Sequence, residues 1–370
     1  MKRRDSQIGI QDSGRARLPQ LGLALVLGIA PLVVHGQGDY PRVRQGVALQ
    51  FPRDHGSHPQ FRNEWWYITG WLNAGGREFG MQITFFRNRP LVAEDNPSRF
   101  APRQLLFAHA ALSIPGNARL LSEQRAARAG FGLAEAAEGE TDVAIEDWSL
   151  KATLAGYAAE VAAREFRYAL RFEARQPLLL QGEHGFSRKG PNPAQASYYY
   201  SLPHLAVTGS VVVQGRELEV TGEAWLDHEW SSEPLAAEAA GLDWVGINLA
   251  DGGALMAFRI RSKDGGTLWA GGALRGADGR RRNLRAAEVR FIPIRRWRSP
   301  RSGADYPVAV RVEAGNSVLD IEPLMDDQEL DARASTGTIY WEGAVRARQG
   351  EKAMGQGYLE LTGYWKPLKL

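Results

Sequence analysis

Apolar and polar residues along this chain recur with a period of two, the spacing of strands, rather than of three to four. Trp66 to Leu72 and Phe79 to Arg87 are dense in β-branched and aromatic residues. Asn73-Ala74-Gly75-Gly76 between them is a turn signal, so the pair predicts a hairpin. Glu165 to Ala174 alternates almost perfectly, with Phe166, Tyr168, Leu170 and Phe172 on one face. Val143 to Ala155 predicts another strand, its alternation broken at Trp148 and Leu150. Leu205 to Val213 and Arg216 to Trp225 predict a hairpin around Gln214-Gly215. Glu123 to Ala137, rich in Ala and Arg and interrupted by Gly130 and Gly132, has the only helical character, and reads equally as a loop with one helical turn.

The pattern occurs twice. Glu64-Trp65-Trp66 opens a strand, an Asn73–Gly76 turn and a second strand ending at Arg87; Leu242-Asp243-Trp244 opens a strand, an Asp251-Gly252-Gly253 turn and a second strand ending at Arg259. Val220-Thr221-Gly222 with Trp225, and Leu361-Thr362-Gly363 with Trp365, close the two halves. This reads as a diverged duplication; the alternative is that Gly-turned hairpins merely look alike. Antiparallel strands joined by hairpins must close into barrels or pack as two sheets, because bare edges aggregate. The expectation is an all-β chain of two tandem antiparallel barrels, the first over 37–232 and the second over 240–370, joined near Ser231 to Gly241.

Length and composition fit this division. The 370 residues exceed one ordinary core, and 44% hydrophobic with 24% charged residues is a globular balance. The formal net charge is only +3 and is spread along the chain; the Arg280–Arg282 run sits among Gly and Asp. With no basic helix and no base-reading motif, no nucleic-acid partner is expected. Residues 1–36 carry Lys2, Arg3 and Arg4, then an apolar run from Leu18 to Val34, and Gly36 before Gln37. That is the pattern of a signal peptide, or of a retained anchor, and it predicts an exported protein, periplasmic or secreted. Cysteine is absent, which removes thiolate nucleophiles and Cys-ligated zinc.

The densest chemistry is Ala224-Trp225-Leu226-Asp227-His228-Glu229-Trp230-Ser231-Ser232. On a strand, Trp225, Asp227 and Glu229 share one face, His228 and Trp230 the other. A carboxyl against indole walls favours its neutral form, which a general acid needs; a turn or ion pair at a domain boundary would use the same residues. The eleven tryptophans, Trp66, Trp225, Trp230 and Trp244 among them, with Tyr198, Tyr199 and Tyr200, either fill cores or pave an apolar pocket. Glu64 reads as a buried hydrogen-bonding carboxylate or a secondary acid–base group. His55, His58 and His109 with Glu64 have metal-ligating side chains, but Asp54-His55-Gly56-Ser57-His58 is a loop whose histidines read as solvated or capping, so no metal site is expected.

His58 to Tyr67, Phe79 to Arg87, Ala196 to Ser201, Trp225 to Ser232 and Asp326-Asp327-Gln328-Glu329-Leu330 together resemble the AttH/carotenoid 1,2-hydratase (hydroxyneurosporene synthase) family, and its exported lipocalin-like branch most. The resemblance implies two lipocalin-like barrels and relatives that hydrate isolated double bonds of carotenoids or prenyl groups without a cofactor. It places the alkene-protonating acid at Asp227 and a matching tryptophan at Trp230; the residues themselves add Glu229 or His228 to activate water, and Trp225, Tyr198, Tyr200, Trp244, Trp66 and Glu64 as substrate contacts. Carotenoid enzymes carry a His and a Trp where this chain has Tyr198 and Tyr200, and a Tyr where it has Trp225. The expected function is thus a hydro-lyase on a lipophilic isoprenoid or carotenoid-type molecule. The alternative is a non-catalytic periplasmic carrier of a hydrophobic ligand, peripheral to the membrane or beside a transporter.

Overall fold

A computed structural model describes residues 40–91, 96–233 and 235–368. The segment read as a signal peptide lies outside these residues. Among the described residues the chain is strand nearly throughout, with only short 3-10 turns at Arg53–His55 and Ala286–Glu288. The first half contains β1 (Asn63–Ala74), β2 (Arg77–Asn88), β3 (Leu105–Ser113), β4 (Leu121–Arg128), β5 (Ala134–Ala136), β6 (Asp142–Ile145), β7 (Trp148–Thr153), β8 (Gly156–Ala162), β9 (Phe166–Ala174), β10 (Leu179–Leu180), β11 (Phe186–Arg188), β12 (Ala196–Val213) and β13 (Arg216–Ser231). The second contains β14 (Ala239–Leu249), β15 (Ala254–Ser262), β16 (Thr267–Arg275), β17 (Arg281–Leu284), β18 (Val289–Arg298), β19 (Asp305–Ala314), β20 (Ser317–Pro323), β21 (Glu329–Ala332), β22 (Thr338–Gln349) and β23 (Lys352–Leu361).

Both sheets share one topology. The first runs β4-β3-β2-β1-β13-β12-β9-β8-β7-β6-β5, and the second β17-β16-β15-β14-β23-β22-β20-β19-β18. In each, the opening strand pairs with the closing strand and carries its hairpin partner on the other side. Each sheet curls until its far strands approach. In the first, Arg125 on β4 reaches the carbonyls of Ile145 and Ala162; in the second, Arg259 on β15 reaches that of Phe291 on β18.

The expected hairpins form, with Gly75 and Gly76, then Gln214 and Gly215, at positive φ in their two-residue turns. Phe166, Tyr168, Leu170 and Phe172 all point into the first core. Two expectations are corrected. Val143 to Ala155 is a hairpin, not one strand: Ile145 pairs with Trp148 across Glu146-Asp147, and Glu146 sits at φ 56°. The break at Trp148 and Leu150 was the turn itself, which resets the alternation and buries both residues. Glu123 to Ala137 is not helical, because β4 must cover the edge of the buried strand β3 and tertiary pairing outweighs the propensity of Ala and Arg. Arg125 there stacks on the Trp148 ring at 4.6 Å.

Equivalent positions in the two sheets repeat the same devices. Glu64 on β1 faces Arg87 on β2, and Asp243 on β14 faces Arg259 on β15. Both acids are about fully buried, and both point into their barrels. Arg87 Nε donates to Glu64 at 2.8 Å, and Arg259 Nε to Asp243 at 2.9 Å. The Thr-Gly closing signals, by contrast, are not equivalent. Thr221 lies opposite Asn73 at the far end of β1, whereas the Thr362 amide bonds to Leu242 at the start of β14.

Candidate active site

The barrels pack through the outer faces of β1, β2, β12 and β13 against those of β14, β15, β22 and β23. Between these faces lies a cavity of about 440 Å³. One transverse row on the first sheet is Tyr199–Glu229–Trp65–Phe86–Phe107, each residue the cross-strand neighbour of the next. The matching row on the second sheet is Glu342–Glu360–Trp244–Phe258. All nine side chains line the cavity. Docking of the two sheets therefore brings two similar patches face to face, an acid and a tryptophan in each.

Asp227 lies in the same wall, one step along the strand from Glu229, and is 3% exposed. Its neighbours across the strands are Tyr67 and Ser201. Three donors reach the carboxyl: Tyr199 Oη at 2.6 Å, Ser201 Oγ at 2.5 Å and Trp225 Nε1 at 2.7 Å. Trp244 Nε1 donates to Tyr199 Oη at 3.1 Å, so the second barrel supports the first barrel's acid through one phenol. Burial pushes the Asp227 pKa up to about 7; the three hydrogen bonds oppose the rise and the Glu229 charge adds to it. The second sheet's counterpart of Asp227 is Tyr358, the residue two before Glu360 on β23, so this acid is unique to one half.

Glu229 is already engaged. Ser197 Oγ donates to it, and Lys189 Nζ lies 2.9 Å from it. The ammonium also rests on the Tyr199 ring at 4.6 Å and the Phe258 ring at 4.4 Å. Glu342 and Glu360 have no such partner: among the described residues no hydrogen bond or ion pair reaches either carboxyl. Burial and then the Glu360 charge raise the Glu342 pKa well above its usual value. The nearby Tyr67 and Tyr340 phenols oppose that rise, although the Tyr67 contact falls short of hydrogen-bond geometry. Burial and the charges of Asp227 and Glu229 raise Glu360 to about 7, with Lys189 opposing.

The remaining sequence-selected residues face elsewhere. Trp66, Tyr198, Tyr200, His228 and Trp230 lie on the opposite faces of β1, β12 and β13, inside the first barrel. His228 Nε2 contacts Glu64 at 3.0 Å and its Nδ1 contacts Tyr200 Oη at 3.1 Å; burial lowers its pKa to about 4, leaving it neutral. The histidines expected to be solvated are packed: His55 Nδ1 meets Tyr200 Oη at 2.7 Å, and His58 stacks on Trp230 at 3.8 Å while bonding Glu64. His58, Glu64 and His228 are close enough to share an ion. Burial alone would raise Glu64; His228, His58 and the Arg87 charge hold it far below the carboxylate range. That arrangement is a complete hydrogen-bonded network built around an arginine, which a cation would have to displace. His109 bridges the barrels, its nitrogens 2.8 Å from Tyr340 Oη and 2.8 Å from Ser335 Oγ.

Of the residues chosen from sequence, Asp227, Glu229, Trp244 and Glu64 line the cavity, and Trp225 joins them only through its hydrogen bond to Asp227. Lys189, Glu342, Glu360, Trp65 and Tyr67 were not singled out for it, and only strand parity beside Asp227 pointed to Trp65 and Tyr67. The Asp326–Leu330 motif braces β22: Gln328 exchanges hydrogen bonds with the backbone of Ala344.

Comparison with known proteins agrees with this architecture. The chain is similar to an AttH-assigned protein from Nitrosomonas europaea of known crystal structure, with 52% identity, TM-score 0.83, and coverage of 88% of this chain and 99% of the other. It is also similar to kievitone hydratase from Nectria haematococca at 14% identity, TM-score 0.67, covering 89% and 97%, a likeness of fold. No curated protein matches the sequence. The AttH-like family model spans residues 42–364, nearly all of the described structure, and the chain belongs to the AttH-like family.

Proposed function

We propose that this chain is a hydratase-like enzyme that protonates, and adds water to, a double bond of a lipophilic isoprenoid or carotenoid-type molecule. The observation that carries the reading is the state of Asp227. Buried in a cavity wall, it keeps its proton up to about pH 7 and so can act as an acid at neutral pH. Proton transfer to one alkene carbon leaves a cation on the other. The faces of Trp65 and Trp244 offer that cation negative potential. The cavity suits the reacting end of an apolar molecule, since its walls are mostly rings. A hydratase on the same fold supports the reaction class. An exported location, and uptake of the substrate from a membrane, belong to the same proposal and rest on the N-terminal sequence.

Incubation with a panel of prenylated and polyene compounds should yield a product heavier by one water, and Asp227→Asn should abolish it. Turnover unchanged in that variant removes Asp227 from the mechanism. The second reading is a carrier of a hydrophobic ligand. It draws on one fact: neither Glu229, tied to Lys189, nor His228, inside the first barrel, is free to activate water. A lipid that co-purifies unmodified, with no product from any panel member, favours the carrier.

A further inference from the structure

Hydration needs a group to take the proton that the attacking water releases. We propose that Glu342 and Glu360 form a carboxyl pair that holds one proton between them and receives that proton. This rests on the hydratase reading and deepens it.

The two residues are direct cross-strand neighbours on β22 and β23, and both line the cavity opposite Asp227. Like charges in that relation repel, and with Glu342 buried and Glu360 partly buried the pair disfavours a second charge. The repeat sharpens the point. Glu360 occupies the position that Glu229 holds in the first barrel, where Lys189 and Ser197 neutralise and anchor it. Glu342 replaces Tyr199. The second barrel thus has two acids where the first has one acid and a phenol, and gives them no counter-ion of their own. Glu342 is 4% exposed and its Oε1 has no hydrogen-bond partner; the buried Tyr67 hydroxyl has none either. These two unpartnered polar atoms belong to residues of the cavity wall, where a polar reactant would supply their missing hydrogen bonds.

The proton balance closes. Asp227 forms the new C–H bond and becomes a carboxylate. Water forms the C–O bond to the cation and gives one proton to the pair, and the alkene has gained H2O. The pair then gives up its extra proton to solvent and Asp227 takes one back, which restores the starting state.

Two readouts test this. The infrared band of protonated carboxyl groups is measured at pH 7 without ligand. In D2O, deuterium entering recovered alkene reports protonation by Asp227, while the hydrated product reports the complete reaction. In Glu360→Gln the proton stays on Glu342, so hydration should fall by at least about 100-fold with deuterium exchange retained and the infrared band unchanged, whereas the double variant Glu342→Gln/Glu360→Gln should lose one carboxyl from the band. In Asp227→Asn both reactions should stop. If variants at the buried Glu342 fail to fold, hydration and exchange in Glu360→Gln, partly exposed, carry the test. Absence of a protonated pair in the wild-type band, or full hydration by Glu360→Gln, overturns the proposal. If the wild-type chain exchanges no deuterium and hydrates nothing in the panel, the hydratase reading fails and the base role with it; a one-carboxyl loss in the band would then support only the shared proton.

Discussion

The indole of Trp244 donates to the phenol oxygen of Tyr199, and Tyr199 donates in turn to Asp227. The acid on one barrel is therefore tuned by a residue of the other. Tyr199→Phe removes a hydrogen bond that stabilises the carboxylate, so the Asp227 pKa should climb further above 7. A hydrogen bond to a charged group of about 1.5–3 kcal/mol corresponds to about one to two pH units. The alkaline limb of the pH–rate profile should move up by that amount, and an unmoved limb would show that Tyr199 does not tune the acid.

Asp227 also links stability to pH. The folded chain holds this proton more tightly than the unfolded chain, whose Asp titrates near its ordinary value. The stability it contributes is complete below about pH 4 and is lost as pH rises through about 7, a difference of about 4 kcal/mol at most. Asp227→Asn should flatten the fall of melting temperature across this window and be more stable than wild type above neutrality. Parallel melting curves for the two proteins would contradict it.

His109 works in the opposite direction. Burial lowers its pKa to about 3, so its contribution is present above the ordinary histidine value and is lost as pH falls toward 3. Because it bridges Tyr340 and Ser335 across the two barrels, acid should loosen this contact first. His109→Gln should lessen the acid sensitivity, read as a smaller drop in melting temperature between pH 7 and 4.

Trp65 and Trp66 are adjacent in sequence and separated by the thickness of a sheet. Trp66→Ala should cost about 3–5 kcal/mol in chemical denaturation, as a ring removed from a full core does. Trp65→Ala should cost much less and instead weaken ligand retention. Equal losses would mean that the cavity wall is a core.

Arg87→Met leaves Glu64 buried without its cation and should destabilise the chain by about 3–5 kcal/mol. Its equivalent, Asp243, has two arginines and Tyr364 around it, so Arg259→Met should cost less. Denaturant midpoints compare the two.

The sequence made part of this site readable for a simple reason. Within one strand, alternation alone decides that Trp225, Asp227 and Glu229 face together and that His228 and Trp230 do not. Which of three consecutive tyrosines joins them is a question of register with another strand. Tyr199 does so because it lies opposite Glu229, and nothing local distinguishes it from Tyr198 or Tyr200. Lys189 reaches Glu229 from the loop between β11 and β12, and Glu342 and Glu360 are further out of reach still, since they meet Asp227 only when one barrel docks on the other. The barrels themselves were legible from turns and repeats. That their outer faces, rather than their interiors, enclose the cavity was not, because those interiors are filled by the very rings that seemed suited to a ligand.

In both barrels the first strand lies beside the last, and this sets a timetable for synthesis. On the ribosome, β1 waits with a bare edge until Arg216–Ser231 emerges, and β14 waits for Lys352–Leu361. The strand translated last delivers Glu360. A nascent chain can complete its first barrel and already hold Asp227 there, yet the cavity in front of that acid has only one wall until the final hairpin seals the second.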